Sequence, residues 1–200
     1  MKKKILLFIF IIILVYAIGG IIFWFLNRKP EVVRISNLDS ISGYNYNLKS
    51  NDKELYKSEF KILKKNLESN EINKEEYAKS ISKMFIIDLY TLNNKINKYE
   101  IGGEQFVYPD AVENFKLNVQ NTIYKYLEDN SNNFRKQELP EVSNVTINNI
   151  ENIDYTIKDQ TFKGYKVKLS WEYVKDLGYD KEGELILVII DKNIYIVEKN

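Results

Sequence analysis

Apolar positions divide the chain into three regimes. Ile5 to Leu26 is an uncharged, almost wholly apolar run of 22 residues, bounded by Lys2, Lys3 and Lys4 and by Asn27-Arg28-Lys29-Pro30. As a helix at ~1.5 Å per residue it would span about 33 Å, against a bilayer core of roughly 30 Å. From about residue 52 to 126 the apolar residues recur at helical spacing. After Pro140 the period changes to two.

The middle regime predicts three helices. The first runs from near Asp52 to Glu68, with Asn51 or Asp52 as cap and Tyr56, Phe60, Leu63 and Leu67 on one stripe. The second opens on a capping box, Asn73 with Glu76, and carries Tyr77, Ile81, Met84, Phe85, Leu89 and Leu92. Asn93-Asn94 and Gly102-Gly103 mark a break, followed by a short strand or loop at Glu104–Tyr108. The third helix comes after Pro109 with a second capping box, Asp110 and Glu113, and turns Val112, Phe115, Val119, Ile123 and Tyr126 inward.

The last regime predicts a four-stranded meander. Val145, Ile147, Ile153, Tyr155 and Ile157 form a long strand with an irregularity near Asn148-Asn149. The clearest strand sets Tyr165, Val167, Leu169, Trp171 and Tyr173 against Lys166, Lys168, Ser170 and Glu172 on its other face. Glu184–Ile190 is apolar on both faces and so central; Asp191-Lys192-Asn193 turns it into Ile194–Val197. The expected class is α+β: an N-terminal transmembrane helix, then three helices packed on a curved antiparallel sheet. The expected domains are 1–29, a membrane anchor with a short cytoplasmic tail; 30–51, a connector; and 52–200, an extracytoplasmic domain. Within the connector, Pro30 stops the helix, Val32–Ile35 is a short extended piece, and Tyr44 and Tyr46 alternate as in an edge-strand fragment.

A cleaved signal is disfavoured, because cutting at the poor Val15-Tyr16-Ala17 site leaves Ile21–Leu26 as an apolar stub. Lys2, Lys3 and Lys4 at one end and Arg28, Lys29 and Arg34 at the other differ little, but a first helix with so short an N-terminal tail usually inserts with that tail in the cytoplasm, which puts the domain outside; Trp24 fits an interfacial anchor near the far end. The bilayer is the partner implied by Ile5–Leu26.

Composition narrows the chemistry. Of 29 Lys+Arg, five (Lys2, Lys3, Lys4, Arg28, Lys29) flank the apolar run, leaving 24 against 28 Asp+Glu in the rest. That acidic balance is the wrong sign for nucleic-acid binding. With no His and no Cys, a zinc or transition-metal site is not expected, and no phosphate-binding or nucleophile-elbow motif calls for a cofactor. The abundance of Lys, Asn and Ile matches the coding bias of AT-rich bacteria. The basic cluster Lys61, Lys64 and Lys65 reads as a solvated helix face.

The helical first half, the capping box, and the closing run Gly-Glu-Leu-Ile-Leu-Val-Ile-Ile-Asp-Lys-Asn-Ile-Tyr-Ile-Val (Gly183 to Val197) resemble the nuclear transport factor 2-like superfamily. The resemblance covers roughly Asp52 to Asn200 and implies a cone of helices and bent sheet. A membrane helix before such a domain looks like the bitopic bridging subunits of type IV secretion and conjugation machines, which are scaffolds. The resemblance therefore implies a non-catalytic protein working through a protein partner or self-association. The superfamily also contains isomerases, so a small-ligand or isomerase-like pocket between helices and sheet is the alternative.

Two sets of side chains bear on that alternative. Asp88 lies eleven residues after Tyr77, about 1,100° around the helix at ~100° per residue, and so falls on the apolar stripe. A buried carboxylate there is the one candidate general base, and structural pairing is the competing reading. Tyr165, Trp171 and Tyr173 are candidates for an aromatic ligand wall, with core packing as the competing reading.

Overall fold

The computed structural model describes residues 2–27 and 33–200; within the first helix, side chains are described at residue 10 and at 12–23. The chain divides into two units, one before and one from Val33. The first holds a single helix, α1 (Lys2–Asn27). The second is α+β: β1 (Asn37–Ser40), β2 (Asn47–Lys49), α2 (Glu54–Leu67), α3 (Lys74–Tyr90), α4 (Val112–Asn121), then β3 (Val142–Ile157), β4 (Gln160–Tyr173), β5 (Glu182–Ile190) and β6 (Asn193–Lys199).

The expected transmembrane helix is corrected. Among the described residues no helix is long and apolar enough to cross a membrane. The Trp24 side chain, Pro30 and Val32, expected to form an interfacial anchor, a helix stop and an extended piece, lie outside the described residues.

The second unit is built around an antiparallel meander in the order β3-β4-β5-β6. Register follows the apolar alternation: Val145 opposes Trp171, Ile147 opposes Leu169, and Ile150 opposes Val167. The register shifts between Ile147 and Asn149, so Asn148 is the extra residue of a bulge. β5 pairs with β4 only over Gly164–Ser170, so the far end of the β3–β4 hairpin is two-stranded. A Cβ on Gly164 would stand 1.9 Å from the Leu187 carbonyl oxygen, which explains why glycine interrupts the β4 pattern there. Leu185, Ile186, Leu187 and Val188 are all buried, as a central strand demands.

α2 and α3 supply the other half of the core. Tyr56, Phe60, Leu63 and Leu67 of α2 and Tyr77, Ile81, Met84, Phe85 and Leu89 of α3 are buried in one cluster with Val167, Leu169, Trp171, Leu185 and Leu187. Half of the expected capping box of α3 forms: Asn73 accepts from Glu76 N at 3.1 Å, while Asn73 N donates to Asn66 Oδ1 at 3.0 Å and not to Glu76. The other two caps differ. α2 starts on Lys53 without a side-chain cap, because Asp52 turns back to accept from Lys49 N at 2.6 Å. Pro109 opens a 3-10 turn, Pro109–Ala111, that leads directly into α4, so Asp110 and Glu113 cap nothing and pair with Lys158 and Lys116. α4 ends at Asn121, which breaks the helical phase of the residues beyond it. Tyr124 is buried and Tyr126 is exposed, the reverse of the helical extrapolation.

Residues 33–51, within the stretch read as a connector, bring Ile41, Tyr46 and Leu48 into the core. The segment is a small antiparallel sheet, with Asn37 opposite Lys49 and Ser40 opposite Asn47. Tyr44 and Tyr46 lie in the turn between its strands. The Tyr46 and Tyr77 hydroxyls meet at 2.6 Å, joining this sheet to α3. Glu104–Phe106 is a 3-10 turn, and Val107 after it bridges Ile196 in parallel while Tyr108 N donates to Ile196 O at 2.9 Å. The outer edge of β6 is thereby covered at Ile196.

Candidate functional site

Asp88 sits in the last turn of α3, facing inward with the stripe that begins at Tyr77. Both carboxylate oxygens are taken. Lys95 Nζ donates to Oδ1, and Gly103 N donates to Oδ2 at 2.7 Å. The pair is closed from water, with side-chain exposures of 10% for Asp88 and 3% for Lys95. Burial opposes the Lys95 ammonium, but the Asp88 carboxylate overcomes it and holds the lysine above its ordinary range.

The surrounding loops are shaped to reach this pair. A Cβ on Gly102 would stand 1.9 Å from the Asp88 carbonyl oxygen, so only glycine lets the loop lie against the end of α3. Tyr124 donates its hydroxyl to Leu89 O at 3.0 Å and accepts from Gly102 N at 3.2 Å. Burial raises the Tyr124 pKa, keeping its hydroxyl protonated and able to donate. Arg135 pins the loop that carries Lys95, donating to Lys95 O and Asn93 O, each at 2.9 Å. Asn51 and Asn94 exchange side-chain-to-carbonyl bonds of 2.9 and 3.0 Å and tie the same loop to the start of α2. Chemically this is a strut in which each oxygen of Asp88 already has a donor.

The aromatic residues of β4 come together only in part. Trp171 and Tyr173 share a cluster, and Tyr165 stands six residues away, roughly 20 Å along a strand. Trp171 packs on Tyr90 with ring centroids 5.1 Å apart and donates from Nε1 to the Tyr173 hydroxyl at 2.8 Å. Tyr173 donates in turn to Asp180 O at 2.7 Å, and Tyr90 donates to Asp180 Oδ2 at 2.9 Å. Burial raises the pKa of both tyrosines, so both hydroxyls are donors near neutrality. Tyr165 and Trp171 are core residues, and Tyr173 is half-buried.

Open space lies elsewhere. A groove of about 700 Å³ runs between β3 at 145–150 and residues of α2 and α3, including Glu59, Ile62, Lys79 and Lys83. A second, of about 400 Å³, is lined by Tyr46, Glu104, Val107, Glu113 and Tyr195. Asp88, Tyr165, Trp171 and Tyr173 line neither. Among the described residues no group of three or more acidic side chains could hold a metal ion.

No protein-family model, no curated protein and no solved structure matches the chain.

The residues that complete the Asp88 site, Lys95, Gly103, Tyr124 and Arg135, are not marked by periodicity. Lys95 and Gly103 lie in irregular backbone beyond Tyr90, and Tyr124 and Arg135 lie beyond α4, where helical phase carries no information. The usable signal was that a carboxylate on an apolar stripe needs a cation or N–H groups close by.

Proposed function

We propose that the protein is non-catalytic, associates with a membrane, and works through protein–protein contacts made by its α+β unit in an envelope or transfer assembly. The observation that carries this reading is the state of Asp88. The carboxylate that the sequence offers as a candidate base, Asp88, is fully engaged by Lys95 and Gly103 N, and it lines neither of the two grooves described. The order of helices followed by a four-stranded meander supports kinship with the nuclear transport factor 2-like superfamily, and with it the scaffold role of bridging subunits in secretion and conjugation machines. Membrane association is supported by α1, where Phe10, Ile13, Val15 and Tyr16 are each at least 60% exposed. An apolar surface of that kind calls for a cover, and lipid is the cover proposed.

Fractionation tests both parts. The full chain should pellet with membranes and, after extraction in mild detergent, should run in a complex larger than its 23.7 kDa monomer plus micelle. A protein that stays in the supernatant defeats the membrane association. A lone monomer with nothing bound defeats the assembly role.

A further inference from the structure

The two edges of the large sheet are treated differently. β6 is covered at Ile196 by Val107 and Tyr108, whereas β3 pairs only with β4. Among the described residues, no backbone hydrogen bond joins 143–157 to anything except β4. Natural edge strands are blunted by charges, prolines or a cover. Here the charges are unevenly placed: Ser143 to Ile150 has none, and Glu151, Asp154 and Lys158 come after it. The uncharged half is the half that faces the 700 Å³ groove.

We infer that this groove receives an extended segment of a partner protein, which adds a strand to the free edge of β3. A groove with an edge strand on one side and helices on the other suits this mode: main-chain bonds supply affinity and alternate side chains supply specificity. The volume lies within the range of ligand sites, roughly 300–1,000 Å³.

The lining also defines the segment. Ile62, half-exposed on α2, with Ile147 and Ile150 half-buried on β3, offers apolar contact to alternate side chains. The four charged residues that line the groove balance: Lys83 pairs with Glu59 at 3.2 Å, and Lys79 pairs with Glu76 at 2.9 Å. The segment is therefore uncharged, with apolar and polar residues alternating. This inference rests on the protein-contact function proposed above and names its surface.

The probe is a capped seven-residue peptide alternating valine and threonine, added to the full chain in mild detergent and read by amide hydrogen exchange. Exchange across 143–150 should slow at least tenfold at saturation. The same peptide N-methylated at alternate nitrogens, which removes ladder donors, should have no such effect. Ile62→Lys, at an exposed position that leaves folding intact, should weaken the peptide at least fivefold. No slowing in 143–150, or equal slowing with the methylated peptide, overturns the inference, as does an unchanged response in Ile62→Lys. Co-purification separates this from the parent reading. If wild type and Ile62→Lys retain the same partner, the edge is not its site although the contact function stands; if wild type purifies alone, the contact function itself fails.

Discussion

Replacing Lys95 with methionine removes the ammonium and keeps the length of the side chain, leaving the Asp88 carboxylate with a single donor, Gly103 N at 2.7 Å. Both partners are nearly closed to solvent, at 3% and 10% side-chain exposure, so water cannot take over for the lost cation. Breaking one side of such a pair costs about 3–5 kcal/mol, about a fifth or more of a typical domain's stability. Asp88→Asn should cost a similar amount by stranding the ammonium, while its amide oxygen still accepts from Gly103. The double variant Asp88→Asn/Lys95→Met removes both charges and keeps that acceptor. It should cost about 1–2 kcal/mol, far less than the singles combined. Urea unfolding of the full chain in detergent, followed by far-ultraviolet circular dichroism, measures all three. The sign of the pH dependence is a further check. The folded pKa of Lys95 is raised, so the lysine contributes in full below its unfolded value near 10.4 and loses that contribution only as pH rises through the folded value. The cost of Lys95→Met should therefore be flat from pH 6 to 9. Singles that add within about 0.5 kcal/mol, or a Lys95→Met cost below ~1 kcal/mol, would refute the coupling.

Asp52 carries the same sign into a lower pH window. Burial lifts its pKa from 3.8 to about 6 against the bond from Lys49 N, so the folded state gains a proton where the unfolded state is ionised, and stability falls as pH rises from about 4 through 6. At ~1.4 kcal/mol per tenfold in proton affinity the upper bound is ~3 kcal/mol; Asp52→Asn should recover about 1–3 kcal/mol at pH 7 and flatten that window in urea titrations. Gly102→Ala should cost more than ~2 kcal/mol in thermal melts, since its Cβ meets the Asp88 backbone. Trp171→Phe removes the donor to Tyr173 and should cost about 1 kcal/mol, against about 3–5 for Trp171→Ala, by the same urea assay. Tyr46→Phe removes one side of the 2.6 Å hydroxyl pair with Tyr77 and should cost about 1–2 kcal/mol.

Elements whose periodicity is local were legible before the structure. Tyr56, Phe60, Leu63 and Leu67 are buried as their spacing predicts, and the β4 alternation maps onto its pairing with β3 and β5. Elements that depend on distant partners were not. β1 and β2 carry mostly polar residues (Asn37, Asp39, Ser40, Asn47, Lys49) and show no apolar alternation to detect, because the small sheet buries only Leu48 itself. The cap expected at Asp52 failed for a related reason. An aspartate bonds a backbone N–H on either side of itself equally well, and Asp52 found Lys49 behind it instead of the helix ahead. At Asp88 the sequence showed the carboxylate but not its counter-ion, since Lys95 approaches through a loop positioned by Arg135 and Asn51.

This difference bears on where function resides. A search for reactive chemistry in the sequence reads side chains, and in this fold the conspicuous ones are bonded to each other: Asp88 to Lys95, Trp171 to Tyr173, Tyr90 to Asp180. An edge strand offers main-chain N–H and C=O groups, which every residue has and no composition reveals. Its mark in the sequence is negative, an eight-residue stretch from Ser143 to Ile150 without the charges that protect the strand beyond it. Covering β6 at Ile196 with Val107 and Tyr108 while leaving that stretch open is hard to reconcile with stability alone, because the same chain demonstrably can close an edge. If β3 is the working surface, substitutions that introduce charge at Thr146 or Asn149 should leave folding nearly unchanged while abolishing partner capture. Substitutions in the Asp88 and Trp171 clusters should affect capture only in proportion to the stability they remove.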